Sequence, residues 1–168
     1  MKVISAKSGI SENAVKESLA RIMQSSSLCS IATVNCDDGA PHINTCFFSY
    51  SENFQLYLFT SPKTLHARNL ESKPSCAINI FSTNQKMGDN LLGCQLFGTA
   101  KMLNPILGLR AFNNYVHRFN VFSTWADTLD TVLSKFESRF YEFEICSGKI
   151  LDESAFGKEE YVSFKIQI

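Results

Sequence analysis

The sequence predicts an all-β dominated fold, an antiparallel β-barrel of six to seven strands with peripheral helices. Short segments rich in β-branched and aromatic residues recur along the chain, and turn signals such as Asp37-Asp38-Gly39 separate neighbouring segments. Most of these segments follow one another closely enough to form hairpins, which pair strands antiparallel. The 14 Phe residues add large rings that pack well against strands.

Length and composition indicate a single domain over residues 1–168. The hydrophobic fraction is 45% and the charged fraction 19%, and no linker, repeat or low-complexity segment interrupts the chain. The 16 basic residues balance the 16 acidic residues. This charge balance provides no net field for a polyanion, so a nucleic-acid partner is not expected.

Six Cys residues occur, but none forms a C-x-x-C pair or has His at metal-ligand spacing, so a metal site is not expected. No segment approaches the roughly 20 apolar residues that cross a bilayer, so a membrane partner is not expected either. The first ten residues lack the apolar block of an export signal. Reduced thiols without such a signal predict a cytoplasmic protein.

The first half of the chain predicts one helix followed by a meander of strands. The helix is expected over residues 11–24, where Ser11 is a suitable N-cap and Val15, Leu19, Ile22 and Met23 form one apolar stripe. The composition then changes to that of strands. We expect them at residues 28–34, 41–50 and 54–60.

The second half predicts alternating strands and helices. Gly93 and Gly98 interrupt one long predicted strand, which indicates a bend or a close approach by another group. Pro105 suits the first turn of a helix. Strands are expected at 75–81, 91–103, 139–145 and 161–168, and helices at 64–71, 105–118 and 127–136.

The corner between the third predicted strand and the next helix carries the clearest chemical signal. The first N–H groups of a helix lack partners, and together with the helix dipole they form an anion site. Thr60 and Thr64 add hydroxyl donors, while Lys63, Arg68 and a protonated His66 add positive charge. A phosphate monoester, with a charge of about −1.5 to −2, suits this corner. An ordinary solvated helix start with a surface Lys is the alternative.

Several motifs resemble those of the pyridoxamine-phosphate-oxidase-like FMN-binding split barrels, and the resemblance covers residues 11–103. The arrangement of Lys63, Thr64 and His66, with the late Phe156-Gly157-Lys158, is most similar to the uncharacterised YhbP-like branch. The motifs that carry the resemblance are residues 28–34 (LCSIATV), 38–42 (DGAPH), 56–60 (LYLFT), 64–70 (TLHARNL) and 97–100 (FGTA).

The resemblance implies a homodimer that binds FMN in a cleft at the subunit interface. Residues 44–47 would lie along the isoalloxazine ring, and residues 59–60 between the ring and the ribityl chain. Residues 64–66 would hold the phosphate. The implied cofactor-binding residues are Asn44, Thr45, Cys46, Phe47, Phe59, Thr60, Lys63, Thr64, Leu65, His66 and Gln95.

The phosphate-binding run departs from the family pattern. The family has Ser-Arg-Lys where this chain has Thr64-Leu65-His66, so an apolar residue and a His replace two permanent cations. A free His has a pKa near about 6.5. Lys63 is expected to compensate from the preceding position. Pyridoxamine-phosphate oxidase activity itself is not expected.

The expected function is that of an FMN-binding flavoprotein and oxidoreductase with an unknown substrate. It would pass a hydride or electrons from NAD(P)H or another small reductant to an acceptor, and the flavin would supply the chemistry. No catalytic side chain is assigned. Two alternatives remain open. One is a non-catalytic module that binds flavin, or haem through His66 or His42, and the other is a cofactor-less dimeric barrel.

Overall fold

The computed structural model describes residues 2–5, 9–125 and 128–167. The helices are α1 (Glu12–Ser25), α2 (Leu65–Ser72), α3 (Pro105–Arg118), α4 (Asn120–Trp125), α5 (Leu129–Phe136) and α6 (Glu153–Phe156). The strands are β1 (Lys2–Ser5), β2 (Leu28–Val34), β3 (Pro41–Tyr50), β4 (Leu56–Thr60), β5 (Ser75–Phe81), β6 (Leu92–Met102), β7 (Arg139–Asp152) and β8 (Tyr161–Gln167).

Six strands close into an antiparallel barrel in the order β7-β4-β3-β2-β5-β6, and β6 pairs back with β7. The predicted fold class, an antiparallel barrel with peripheral helices, is confirmed. β8 pairs with the second half of β7, and β1 pairs with β8 outside the barrel. β1 was not predicted, because its four residues are too few for a recognisable alternation.

β7 is twice as long as the sequence predicts, because it continues from residue 145 to Asp152. Its first half pairs with β4 and its second half with β8, while β6 accompanies it from end to end. The register with β6 shifts between Phe97 and Gly98. A Cβ at Gly98 would collide with the carbonyl oxygen of Glu144, so this close crossing requires a glycine.

The barrel interior and one face of α1 form the main core. Ser11 caps α1 by accepting from the N–H of Ala14, which fixes the start of the helix. The predicted apolar stripe of α1 is fully buried against inward-facing strand residues. The largest of these buried strand residues are Ile31, Phe48, Leu56, Leu58, Ile78, Phe143 and Phe164.

A second apolar cluster lies on the outer side of β4 and β7. α3, α4 and α5 cover this side, and their rings contact Tyr57, Phe59 and Phe140 of the strands. Asn104 caps α3 through the N–H of Leu107, and the helix has its predicted bounds. The helix predicted at 127–136 begins at Leu129, and its first predicted residue lies outside the described residues. The short α4 was not predicted.

Within the described parts of the chain, no helix combines the length and the apolar character needed to cross a membrane.

Replacing Gly98 with Ala is expected to destabilise the protein by about 1–3 kcal/mol or more, because the new methyl group would meet backbone that cannot move aside. Gly108→Ala is the matched control. Its Cβ would lie 3.6 Å from a side-chain atom of Leu129, an ordinary contact, and alanine in a helix is favoured by about 0.5–1 kcal/mol. Urea unfolding of both variants measures the effects. Equal stability of the two variants would contradict the close approach of β6 and β7 at Gly98.

Candidate cofactor-binding site

The barrel opens where β4 leaves β3. The pairs between these strands run from Phe48–Leu58 to Tyr50–Leu56. Continuing this register would set Thr60 opposite Cys46, but the two strands separate after the pair Phe48–Leu58. β4 ends at Thr60, and the chain then turns into α2. Residues 44–47 therefore pair with β2 alone among the described strand pairs, and they present a backbone edge beside the start of α2.

The side chains of Thr60, Thr64 and His66 converge at this opening. The Nε2 atom of His66 lies 2.9 Å from the hydroxyl of Thr60 and 3.2 Å from that of Thr64. The Thr64 hydroxyl also lies 2.8 Å from the carbonyl oxygen of Ser61, to which it donates. The structure thus brings together three of the residues that the sequence predicts as phosphate-binding or adjacent to it.

The start of α2 has no side-chain cap. Thr64 occupies the N-cap position, but its hydroxyl is engaged with Ser61 and His66 and accepts no hydrogen bond from the first turn. First-turn N–H groups of a helix without such a cap are available to an external acceptor, and the helix dipole favours a negative charge there. The geometry fits an anionic group held by backbone amides and hydroxyls.

His66 acts in this corner as a neutral hydrogen-bonding group. It is only 7% exposed. Burial, and to a smaller extent the neighbouring charge of His42, lower the pKa of His66 from its ordinary value. The imidazole is therefore mostly uncharged near neutral pH, and it does not replace the permanent cation of the family pattern.

Lys63 is engaged with a carboxylate from another part of the chain. Its Nζ lies 2.7 Å from an oxygen of Glu137, which follows α5, and both side chains are largely exposed. This hydrogen bond and the opposite charge raise the pKa of Lys63 and lower that of Glu137. For Lys63 to contact a phosphate at α2, its amine must either bind the phosphate and Glu137 at once or break its ion pair with Glu137.

A row of polar side chains crosses the outer face of the sheet in register. Thr45 of β3 pairs with Ser30, Ser30 with Asn79, Asn79 with Gln95, and Gln95 with Lys149. The two predicted ring-contacting residues Thr45 and Gln95 therefore belong to one row, with β2 and β5 between their strands. Sequence reasoning missed the intervening residues, because their alignment depends on the register of several strand pairs.

Two cavities follow this polar row. One, of about 330 Å³, includes Ser30, Thr45 and Asn79 in its wall. The other, of about 200 Å³, includes Asn79 and Gln95. Asn79 and Phe81 line both cavities, so the two form one groove along the outer face.

Exposed apolar side chains border the polar row on both sides. Ile43 is 69% exposed and Phe47 is 58% exposed. Such a concentration of apolar surface on one sheet face is typical of a contact surface. The exposed residues along the two borders are Leu28, Ile43, Phe47, Phe81, Phe97 and Tyr161.

The remaining predicted residues take different orientations. Asn44 and Cys46 lie on the inward-facing positions of β3, whereas Thr45 and Phe47 face outward. The Phe59 ring packs 4.8 Å from that of Phe140, under the helices that follow β6. Leu65 is half-buried at the first position of α2.

The chain matches a known protein family over more than half of its length. The family model described as pyridoxamine 5'-phosphate oxidase matches residues 15–120, which include β2 to β6 and both α2 and α3. The chain belongs to this family. The match therefore contains the opening of the barrel and most of the polar row. No curated protein matches the chain significantly.

Solved structures with similar folds have low sequence identity to this chain. The haem binding protein from Mycobacterium smegmatis is 16% identical, with a TM-score of 0.69 over 88% of this chain and 56% of that protein. HutZ, the haem storage protein from Vibrio cholerae, is 16% identical, with a TM-score of 0.60 over 77% and 88%. An FAD-binding protein from Mesorhizobium loti is 14% identical, with a TM-score of 0.55 over 99% and 100%. These likenesses show the fold.

Lowering the pH is expected to destabilise the protein through protonation of His66. Because the folded pKa is lowered, the unfolded chain binds the proton more tightly. The contribution of His66 is complete above the unfolded pKa of about 6.5 and decreases as the pH falls toward the folded pKa. Urea midpoints at about pH 7.5 and about pH 5.5 should differ less in His66→Gln than in the wild type.

Asn113→Gln, at an exposed and non-titratable position of α3, is the control and should keep the wild-type pH dependence. If His66→Gln shows the same loss of stability at acid pH as the wild type, the neutral buried role of His66 is wrong.

Proposed function

We propose that this chain is an FMN-binding flavoprotein that holds the cofactor phosphate at the start of α2 and the ring against β3, between two copies of the chain. The uncapped start of α2, beside the hydroxyls of Thr60 and Thr64 where β4 leaves β3, carries the proposal. Donors concentrate there, and a phosphate monoester is a suitable acceptor.

The phosphate would accept from the first-turn amides of α2 and from the threonine hydroxyls. Hydrogen bonds to a charged acceptor are shorter and stronger than those between neutral groups. Thr64 would rotate its hydroxyl from Ser61 toward the phosphate. His66 would keep the two hydroxyls in place and exclude water behind them. Lys63, directly before Thr64, supplies a cation once it turns from Glu137.

The flavin ring would lie along the open edge of β3. On this edge the backbone groups of Thr45 and the N–H of Phe47 are available for its polar rim, because the carbonyl oxygen of Phe47 already accepts from the Tyr115 hydroxyl at 2.8 Å. The exposed ring of Phe47 provides an apolar contact. Thr45 and the other members of the polar row, through Gln95 to Lys149, offer further donors and acceptors. Gln95 would reach the flavin of the same copy or of its partner.

A second copy of the chain is the proposed cover for the outer face. The bordering side chains Ile43, Phe47 and Phe97 leave much of their surface in water when the chain is alone. Each Å² of apolar area removed from water stabilises association by about 25 cal/mol. A homodimer would bury both borders and enclose the groove between them.

Bound FMN would supply hydride or electron transfer, and the chain would supply position and exclusion of water. The proposed electron donor is NAD(P)H or another small reductant. A side-chain acid or base is not required for such a transfer, so no catalytic residue is assigned. A cytoplasmic location remains a prediction.

Two alternative functions, a haem-binding module and a barrel without cofactor, are distinguished by the flavin titration described below. Two proteins of similar fold are named for haem and one for FAD. In this chain the Nε2 atom of His66 is occupied by threonine hydroxyls, which argues against its use as an axial haem ligand. A barrel without cofactor, acting through dimer contacts, is the other alternative.

Titration of the purified protein with FMN and riboflavin is expected to give tighter binding of FMN. Thr64→Ala should weaken FMN binding about 10- to 100-fold, the equivalent of one hydrogen bond to a charged group, and leave riboflavin binding little changed. Thr128→Ala, which removes the cap of α5, is the matched control. Equal affinity for both flavins would contradict the phosphate site, a haem absorption band would favour the haem module, and no uptake would favour the cofactor-less barrel.

Glu137→Gln is expected to strengthen FMN binding several-fold, because it frees Lys63 and removes a negative charge from the approach to α2. Lys63→Ala should weaken binding, and the double variant should resemble Lys63→Ala. The gain should diminish in high salt, which screens exposed charges. An unchanged affinity in Glu137→Gln would show that Lys63 does not serve the phosphate.

A further inference from the structure

We propose that Cys29 and Cys46 form a redox-active pair, which a hydroperoxide converts into an intramolecular disulfide inside the barrel wall. The proposal is independent of FMN binding. It rests on the placement of these two thiols, because the other four Cys residues of the chain stand in different environments.

The two thiols are direct neighbours across β2 and β3. Cys29 pairs with Cys46 in the antiparallel register, and their Sγ atoms are 3.7 Å apart. Along an antiparallel ladder every second residue pair is hydrogen-bonded. The hydrogen-bonded pairs Phe48–Ser27 and Asn35–Ala40 are two and six residues away from the pair of cysteines on the same ladder. Cys29 and Cys46 therefore form a hydrogen-bonded pair.

The backbone at this pair already suits a disulfide. The Cα atoms of a hydrogen-bonded antiparallel pair are about 5.5 Å apart, whereas disulfides span Cα distances of about 4.4–6.8 Å. Both side chains are on the inner face of the sheet and point to the same side. Directly opposite Cβ atoms are about 4.5–5.5 Å apart, and a disulfide spans about 3.5–4.5 Å between them. Rotation of the side chains with a small local approach of the two strands therefore brings the sulfurs into bonding distance.

The pair also separates the roles of the two thiols. The hydrogen bond from Cys29 lowers the pKa of Cys46, and the same interaction, with burial, raises the pKa of Cys29. Cys46 is half-buried, and Cys29 is 2% exposed. Because the thiolate is the nucleophile, Cys46 is the thiol that reacts first and Cys29 the one that resolves.

The reaction balances in two steps. The Cys46 thiolate attacks the terminal oxygen of the hydroperoxide, the O–O bond breaks, and a sulfenic acid and an alkoxide form. The alkoxide takes up the proton that the Cys46 thiol lost and leaves as an alcohol, or as water when the oxidant is hydrogen peroxide. Cys29 then attacks the sulfenic sulfur, the S–S bond forms, and the departing hydroxide takes up the Cys29 proton as water. Two thiols are oxidised by two electrons, and the hydroperoxide is reduced. A small dithiol reverses the change.

Other buried thiols in the barrel provide an internal comparison. Burial raises the pKa of Cys76 and of Cys94 to about 12, so both remain protonated. Cys94 is close enough to Cys29 to affect its pKa, which makes it the alternative partner to exclude. Cys36 and Cys146 are exposed.

The test uses the full-length protein and hydrogen peroxide. After oxidation and blocking of free thiols, unreduced peptides are mapped by mass spectrometry. We expect one peptide pair, linked through Cys29 and Cys46, which disappears on treatment with dithiothreitol. Cys29→Ser should stop at a sulfenic acid on Cys46 that dimedone traps, and Cys46→Ser should react at least about tenfold more slowly at residue 29.

Cys76→Ser and Cys94→Ser are the matched buried controls and should both retain the link. A link from Cys29 to Cys94, links only through Cys36 or Cys146, or unmodified Cys29 and Cys46 after the exposed thiols have reacted would each overturn the proposal. Because the link is sought in the wild-type protein, a variant that does not fold leaves this result intact.

Discussion

Closure of the barrel depends on the pairing of β6 with β7 along their full length, from Leu92–Asp152 to Met102–Tyr141. β7 pairs on its other side with β4 and then with β8, so one strand belongs both to the barrel and to its extension. The register shift at Gly98 permits this change of partner. It also sets Gln95 opposite Lys149, so the last pair of the polar row on the outer face depends on the same crossing.

Local patterns were sufficient for much of the fold. β2, β3, β5 and α3 have the bounds that alternation, turn residues and capping predict. The second half of β7 was missed because its Ser147-Gly148 resembles a turn. In the structure a Cβ at Gly148 would lie 2.6 Å from the ring of Phe164, so this glycine serves packing between strands. Such packing depends on residues distant in sequence.

The candidate site could likewise be predicted from local sequence only in part. Thr60, Thr64 and His66 lie within seven residues, and a strand-to-helix corner is readable from one segment. The partner of Lys63 is 74 residues away in sequence, and nothing near Lys63 indicates it. The opposite orientations of Thr45 and Cys46 follow from the two-residue period of a strand. This period places the side chain of Thr45 on the outer face, where a ligand would lie, and the thiol of Cys46 on the inner face beside Cys29.

Arg118 connects the inserted helices to the start of the barrel. Its guanidinium donates to the carbonyl oxygens of Met23 and Ser26, each at 2.6 Å, and lies over the rings of Phe48 and Tyr50. Carbonyls at the end of α1 thus find their donor 92 to 95 residues later in the chain. A shorter segment between β6 and β7 that lacked Arg118 would leave these two carbonyls without this donor, so a deletion far along the chain would disturb the exit from the first helix.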